Sequence, residues 1–143
     1  MILYLDTSAL VKRYIRETGT DEVIPLVENA GSVGSASLTK AEMAAALEKT
    51  VRQGWIKRKI ALQAWQDFLD QWSSFTRLNI SSGTIERASK LAWEYSLRGY
   101  GAIHLACAIL WQETLETQIN MATFDRDLWR ASKKAGLAVW PQA

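Results

Sequence analysis

Residues 1–10 read MILYLDTSAL. Ile2 to Leu5 carries no charge, glycine or proline and opens on a β-branched residue, the composition of a short strand buried on both faces of a parallel sheet. Asp6 then stands at the carboxyl end of that strand. Open α/β sheets bind ligands at this edge, because the chain turns there into a helix and a crevice opens between loops. A carboxylate in that position suits a metal ligand or a phosphoryl-transfer group, and it equally suits the N-cap of the following helix. The decapeptide alone leaves both readings open.

Outward from this stretch the pattern alternates. Thr7 to Arg16 and Thr20 to Asn29 have helical apolar spacing, with Pro25 near enough the second start to be tolerated, and Val33 to Ala36 reads as a second strand. In SLTKAEMAAALEKTVRQG, residues 37–54, Thr39 and Glu42 have the spacing of a capping box ahead of an apolar stripe. Residues 38–53 and 57–75 then form a protruding helical hairpin around Gly54, with Ile60, Ala64, Phe68 and Trp72 on one face of its second helix. Arg52, Lys57, Arg58 and Lys59 cluster at its tip, as a solvated turn or a phosphate-contacting patch. Residues 76–80 form a third strand, 81–97 a helix, and RGYGAIHLACAILW a further helix after a Gly-Tyr-Gly turn. His104, the sole histidine, reads as a packed, hydrogen-bonded core residue on that apolar helix. Ile119 to Thr123 is a fourth strand, Leu128 to Ala135 a short helix, and Leu137 to Trp140 an edge strand stopped by Pro141. Strands alternating with helices predict an α/β fold, a four- or five-stranded parallel sheet flanked by helices.

The bulk properties agree with one compact domain over residues 1–143. Hydrophobic residues make up 48% and charged residues 22%, which argues against disorder and fibrous classes. No apolar run approaches the ~20 residues that span a bilayer, and the first strand begins at once without a secretory pattern, so a cytoplasmic protein is expected. Cys107 is the only cysteine, reads as a small buried side chain, and excludes an internal disulfide. A net charge of +2 neither requires nor opposes a nucleic-acid partner.

Asp6, Glu42 and Asp125 each fall at or just past the carboxyl end of an expected strand, so a parallel sheet brings them to one edge. Like charges gathered there repel unless a cation lies between them. A hard divalent ion with oxygen ligands is the natural occupant, and it would activate water against a phosphodiester. No glycine-rich phosphate loop and no Ser-His-Asp arrangement is evident. A haloacid-dehalogenase-like phosphatase would need a second Asp at position 8, where this chain has Ser8.

The blocks LDTSAL, SLTKAE, LRGYGAIHLA and ATFDRDLWRAS, in this order across nearly the whole chain, resemble the signature blocks of the PIN-domain ribonucleases, particularly the VapC-like toxins of toxin–antitoxin pairs. The resemblance implies a PIN-like fold and an acidic cluster that binds Mg2+ or Mn2+ to cleave single-stranded regions of RNA. It places Asp6, Glu42 and Asp125 as catalytic metal ligands, and Ser8 and Thr123 as the hydroxyls that orient them. It also implies a cognate antitoxin and a homodimer, with no membrane partner. Trp65, Phe68, Leu69 and Trp72 are then either an exposed aromatic groove for the antitoxin or the packing of the hairpin onto the sheet.

The third block departs from the pattern. Where the family usually has Tyr-Asp-Ala, this chain has Gly101 between Tyr100 and Ala102, and glycine offers a metal no side-chain oxygen. Three accounts stand: natural loss of activity, a substitution selected or introduced because the active toxin kills its host, or replacement of the missing ligand by Asp127 or Glu94. The intact surroundings favour the second, with Gly101 expected to serve as a helix N-cap. The enzymatic reading is thus an impaired ribonuclease; the alternative is an inactive PIN-like module that binds RNA or antitoxin.

Overall fold

The computed structural model describes residues 1–142. In chain order the elements are β1 (Ile2–Leu5), α1 (Thr7–Tyr14), α2 (Thr20–Glu28), β2 (Ser32–Ala36), α3 (Thr39–Arg52) and α4 (Arg58–Trp72). They continue with β3 (Thr76–Leu78), α5 (Ser82–Tyr95), α6 (Gly99–Leu115), β4 (Ile119–Ala122), α7 (Arg126–Lys134) and β5 (Ala138–Trp140). The strands form one sheet of order β3-β2-β1-β4-β5, and every neighbouring pair is parallel. Among the described residues no helix is long and apolar enough to cross a membrane.

β1 is the central strand, and its alternation builds the two cores. Leu3 and Leu5 pack with Leu10, Val23, Met43, Phe68 and Trp72 beneath α1 to α4. Tyr4 points to the other face, among Leu91, Leu105, Trp111, Met121 and Leu128 of the α5, α6 and α7 layer. α6 is apolar around nearly its whole circumference, as a helix enclosed between a sheet and two other helices must be.

Several sequence expectations change. α6 begins at Gly99, so the Gly-Tyr-Gly segment is its first turn, and Gly101 is the third helical residue; Arg98 occupies the N-cap that Gly101 was expected to fill. The capping box at Thr39 is not made. Thr39 is wholly buried and shares its hydroxyl with Ser35 at 2.7 Å, which leaves Glu42 to other partners. Phe68 is fully enclosed and Trp72 is 6% exposed, so Trp65, Phe68, Leu69 and Trp72 do not form a common exposed groove. Phe68 and Trp72 join α4 to the core cluster that contains Leu3, Leu5 and Leu10, with Ala61 and Ala64 also buried while Ile60 faces solvent. Trp65 instead lines an apolar groove between α3 and α4 with Ala44, Leu47, Val51, Ala61 and Leu62.

The contact between α6 and β2 depends on a missing side chain. A Cβ at Gly34 would lie 2.7 Å from the ring of the buried Trp111 and 3.1 Å from the Thr76 carbonyl oxygen. Overpacking of this kind costs about 1–3 kcal/mol. Gly34→Ala should lower unfolding free energy by that amount in urea denaturation; an unchanged midpoint would show that Trp111 is free to move.

Candidate active site

The strand order reverses between β1 and β4, because the chain first builds outward through β2 and β3 and then returns to the other side of β1. Such a switch point opens a crevice at the carboxyl ends of the strands. Asp6 leaves β1 there, its backbone N–H donating to the Ala122 carbonyl at 3.3 Å, directly beside Thr123 at the end of β4.

Asp6 is 5% exposed, and every contact to its carboxylate is a donor. Ser8 Oγ donates at 2.7 and 3.0 Å to the two oxygens, Thr123 Oγ1 donates to Oδ2 at 2.7 Å, and the Ala9 N–H donates to Oδ1 at 3.1 Å. The hydroxyls are themselves oriented, since Ser8 Oγ accepts the Phe124 N–H at 2.9 Å and Thr123 Oγ1 accepts the Asp125 N–H at 3.0 Å. Asp6 therefore caps α1 and also receives donors from the turn after β4, so its two sequence readings are compatible. Burial nevertheless pushes its carboxyl above the usual range, against the opposing effects of His104, Thr123, Ser8 and Ala9.

Glu42 sits in the first turn of α3 and faces the same edge. Its Oε1 accepts from Thr7 Oγ1 at 2.7 Å and pairs with His104 Nε2 at 2.7 Å. His104 Nδ1 lies 2.7 Å from the hydroxyl of the fully buried Tyr4. Tyr4 and Glu42 thus occupy both ring nitrogens of His104, which links the buried hydroxyl to the carboxylate in one hydrogen-bonded chain. Partial burial raises the Glu42 carboxyl, but the bonds from His104 and Thr7 outweigh it and hold the group below its ordinary value. The expectation of a packed, hydrogen-bonded histidine holds, and the structure adds a site role for it. Thr7 and Tyr4 were not legible as site residues, because neither has a local signal beyond its position in strand or helix.

Asp125 caps α7, its Oδ1 accepting the N–H groups of Asp127 and Leu128 at 2.9 and 3.1 Å. It joins Asp6 through Thr123. The bonds to Glu42 and Asp125 each fall on one oxygen, so Oε2 and Oδ2 have no protein partner among the described residues. Gly101 lies on the same helical face as His104, three residues before it, and a Cβ there would meet nothing within 4 Å. The carboxylate oxygens present are the donors a hard divalent ion takes. Among the described residues, however, no three Asp, Glu, His or Cys side chains are gathered closely enough to hold an ion, so the set fits in kind and is short in number.

The remaining candidates lie elsewhere. Glu94 and Asp127 line a cleft of about 280 Å³ between α5 and α7 with Arg130 and Lys134, and Asp127 adjoins the site only through its backbone N–H, which donates to Asp125 Oδ1 at 2.9 Å. Arg52 lies roughly ten residues beyond Glu42 along α3, about 15 Å by helical rise, and pairs with Glu48 at 3.1 Å. Arg52, Lys57, Arg58 and Lys59 are thus at the exposed hairpin tip, away from the carboxylates.

The two buried acids have opposite linkage. The raised pKa of folded Asp6 means that its ionisation weakens the fold at neutral pH, and this loss is relieved as pH falls through the folded value. The depressed pKa of Glu42 contributes stability that is present above its ordinary 4.5 and lost as pH falls through the folded value. Asp6→Asn should therefore melt above the parent at neutral pH, with a difference that narrows on acidification, whereas Glu42→Gln should melt below it. Thermal unfolding across the acid range checks both signs; a lower melting temperature for Asp6→Asn at neutral pH would contradict the first.

The family model described as PIN domain matches residues 3–134. Ribonuclease VapC45 of Mycobacterium tuberculosis (strain CDC 1551 / Oshkosh) is 29% identical over 140 residues, covering 98% of this chain and 95% of that one. Among solved structures, VapBC2 from Rickettsia felis bound to a DNA fragment from their promoter aligns with TM-score 0.65 at 15% identity, covering 97% of each chain. FitAcB from Neisseria gonorrhoeae aligns with TM-score 0.66 at 17% identity over 97% of this chain and 96% of that one. With the sheet order, the switch-point acids and a family match across nearly its whole length, the chain belongs to the PIN-domain family.

Proposed function

We propose that this protein is a VapC-like endoribonuclease toxin, a single PIN-like domain over residues 1–143, in which Gly101 at the third acidic position impairs cleavage. The observation that carries this reading is the buried Asp6 carboxylate at the β1/β4 switch point, held by four donor contacts and flanked by Glu42 and Asp125, each with an uncommitted oxygen. Asp6, Glu42 and Asp125 would hold Mg2+ or Mn2+, which when bound supplies Lewis-acid neutralisation of phosphodiester charge and lowers the pKa of water.

The chain's own groups do the rest. Ser8 and Thr123 hold the Asp6 carboxylate in one orientation at the end of β1. His104 and Thr7 fix Glu42 through Oε1, which leaves Oε2 to take the proton of the attacking water. Asp125 keeps Oδ2 without a protein partner among the described residues, because its α7 cap uses Oδ1 alone. The alternative, an inactive PIN-like module that binds RNA or antitoxin, is favoured by the absence of a three-ligand set among the described residues.

The reading includes partners. A cognate antitoxin suits the groove of about 190 Å³ between α3 and α4, whose apolar lining accepts an amphipathic helix. A homodimer would cover Trp93 and Tyr100, which are 91% and 66% exposed. A cytoplasmic location accords with an RNA substrate.

Gly101→Asp is the decisive variant. It should give Mg2+- or Mn2+-dependent cleavage of single-stranded RNA about ten-fold or more above the parent, together with a Mn2+-induced rise in melting temperature that Asp6→Asn removes. If the restored protein cleaves no better than the parent, the enzymatic reading fails and the binding module stands.

A further inference from the structure

Beside Asp125 the surface opens into a cleft of about 370 Å³, within the ~300–1,000 Å³ range of small-molecule sites. Its walls are Thr123, Phe124 and Asp125 from the turn after β4, Arg126, Trp129 and Arg130 from α7, and Pro141. The cleft thus shares a wall with the carboxylate edge. Arg126 and Arg130 are four residues apart on one helical face and exposed. Neither guanidinium has an ion pair among the described residues, as is also true of Arg58, Arg77 and Arg98, whereas Arg13, Arg16, Arg52 and Arg87 are paired with acids. Trp129 is held differently: its Nε1–H donates to the Pro141 carbonyl at 2.6 Å, and Lys133 Nζ lies 5.3 Å from its ring centre. The indole is therefore fixed in place while the two cations remain open to a partner.

Two unpaired guanidiniums recognise phosphate, and a rigid aromatic wall stacks an unpaired base, at a strength of about 1–3 kcal/mol per base. We propose that this cleft binds the nucleotide flanking the scissile phosphate of a single-stranded RNA, with Arg126 and Arg130 on its phosphate and Trp129 against its base. The inference rests on the endoribonuclease reading for the position of the scissile phosphate. It assigns substrate contact to α7 next to the acids, in place of the hairpin tip.

The test is fluorescence anisotropy of a short labelled single-stranded RNA with the full chain in EDTA, so that binding is read without cleavage. Arg126→Ser/Arg130→Ser should weaken binding about ten-fold and reduce the salt slope of log K by about 1.4, two contacts at about 0.7 each for single strands. Lys49→Ser/Lys90→Ser, an equal charge loss on other exposed surfaces, should change affinity less than about two-fold. Trp129→Leu should also weaken binding about ten-fold, Trp129→Phe should retain most of it, and duplex RNA of the same sequence should bind more weakly because its bases are already stacked. Circular dichroism and melting of each variant report its fold; if Trp129→Leu unfolds, the exposed arginine pair and the duplex comparison carry the test.

Equal losses from the α7 pair and the control pair would overturn the proposal, as would a loss produced instead by Lys57→Ser/Lys59→Ser. Unchanged binding by a folded Trp129→Leu would overturn it too. Gly101→Asp separates the two readings. Metal-dependent cleavage by that variant with no dependence on Arg126 or Arg130 removes only the subsite. Arginine-dependent RNA binding without restored cleavage removes the enzyme and leaves the cleft as an RNA site.

Discussion

A carboxylate withheld from water at the β1/β4 switch point is the constraint on which the rest of the site depends. Asp6 has its charge disfavoured by burial and is accommodated only because Ser8, Thr123 and Ala9 all direct donors at it. Those donors come from different parts of the chain, so the turn after β1 and the turn after β4 are held in register by one side chain. The backbone N–H groups of Phe124 and Asp125 fix the two hydroxyls in turn. A buried charge of this sort is tolerated only where donors are fixed around it.

The sheet supplies that fixity. Leu3 and Leu5 anchor β1 to one helical layer and Tyr4 to the other, so the strand cannot slip without exposing both sets. Tyr4 also carries a polar end. Through His104 it links the interior of the α6 layer to Glu42 at the start of α3, so that the second acid is positioned from beneath the sheet edge as well as from Thr7. Packing and polar chemistry thereby meet in one buried chain.

Gly101 lies in the first turn of α6, on the helical face that also carries His104. The first turn of α6 forms with two glycines in it, and with no side-chain cap from Arg98, because the apolar remainder of the helix is enclosed. Helical conformation at position 101 is thus secured by tertiary packing, which leaves the side chain there free to vary without loss of the fold. The open space around it would admit a larger side chain, a carboxylate included. On the far side of Asp125, α7 contributes cations and an indole to the same edge, so this helix combines acid positioning with a basic, aromatic wall.

Local sequence determined a good deal. The apolar run before Asp6, the alternation of strand and helix, and the four blocks in order were sufficient for a parallel α/β sheet with acids at one edge, because strand composition and helical periodicity are properties of neighbours in the chain. Tertiary structure decided what depends on residues distant in sequence. Thr39 and Glu42 have capping-box spacing, yet Ser35 takes the hydroxyl and His104 with Thr7 takes the carboxylate. Phe68 and Trp72 have the spacing of an exposed stripe or a core stripe alike, and only their clustering with side chains of β1, α1 and α3 makes them core. The dual role of Asp6 has the same origin. Its cap comes from Ala9, three residues away, and was legible in the first ten residues; its burial and its place in the crevice come from Thr123, which only the pairing of β1 with β4 brings alongside.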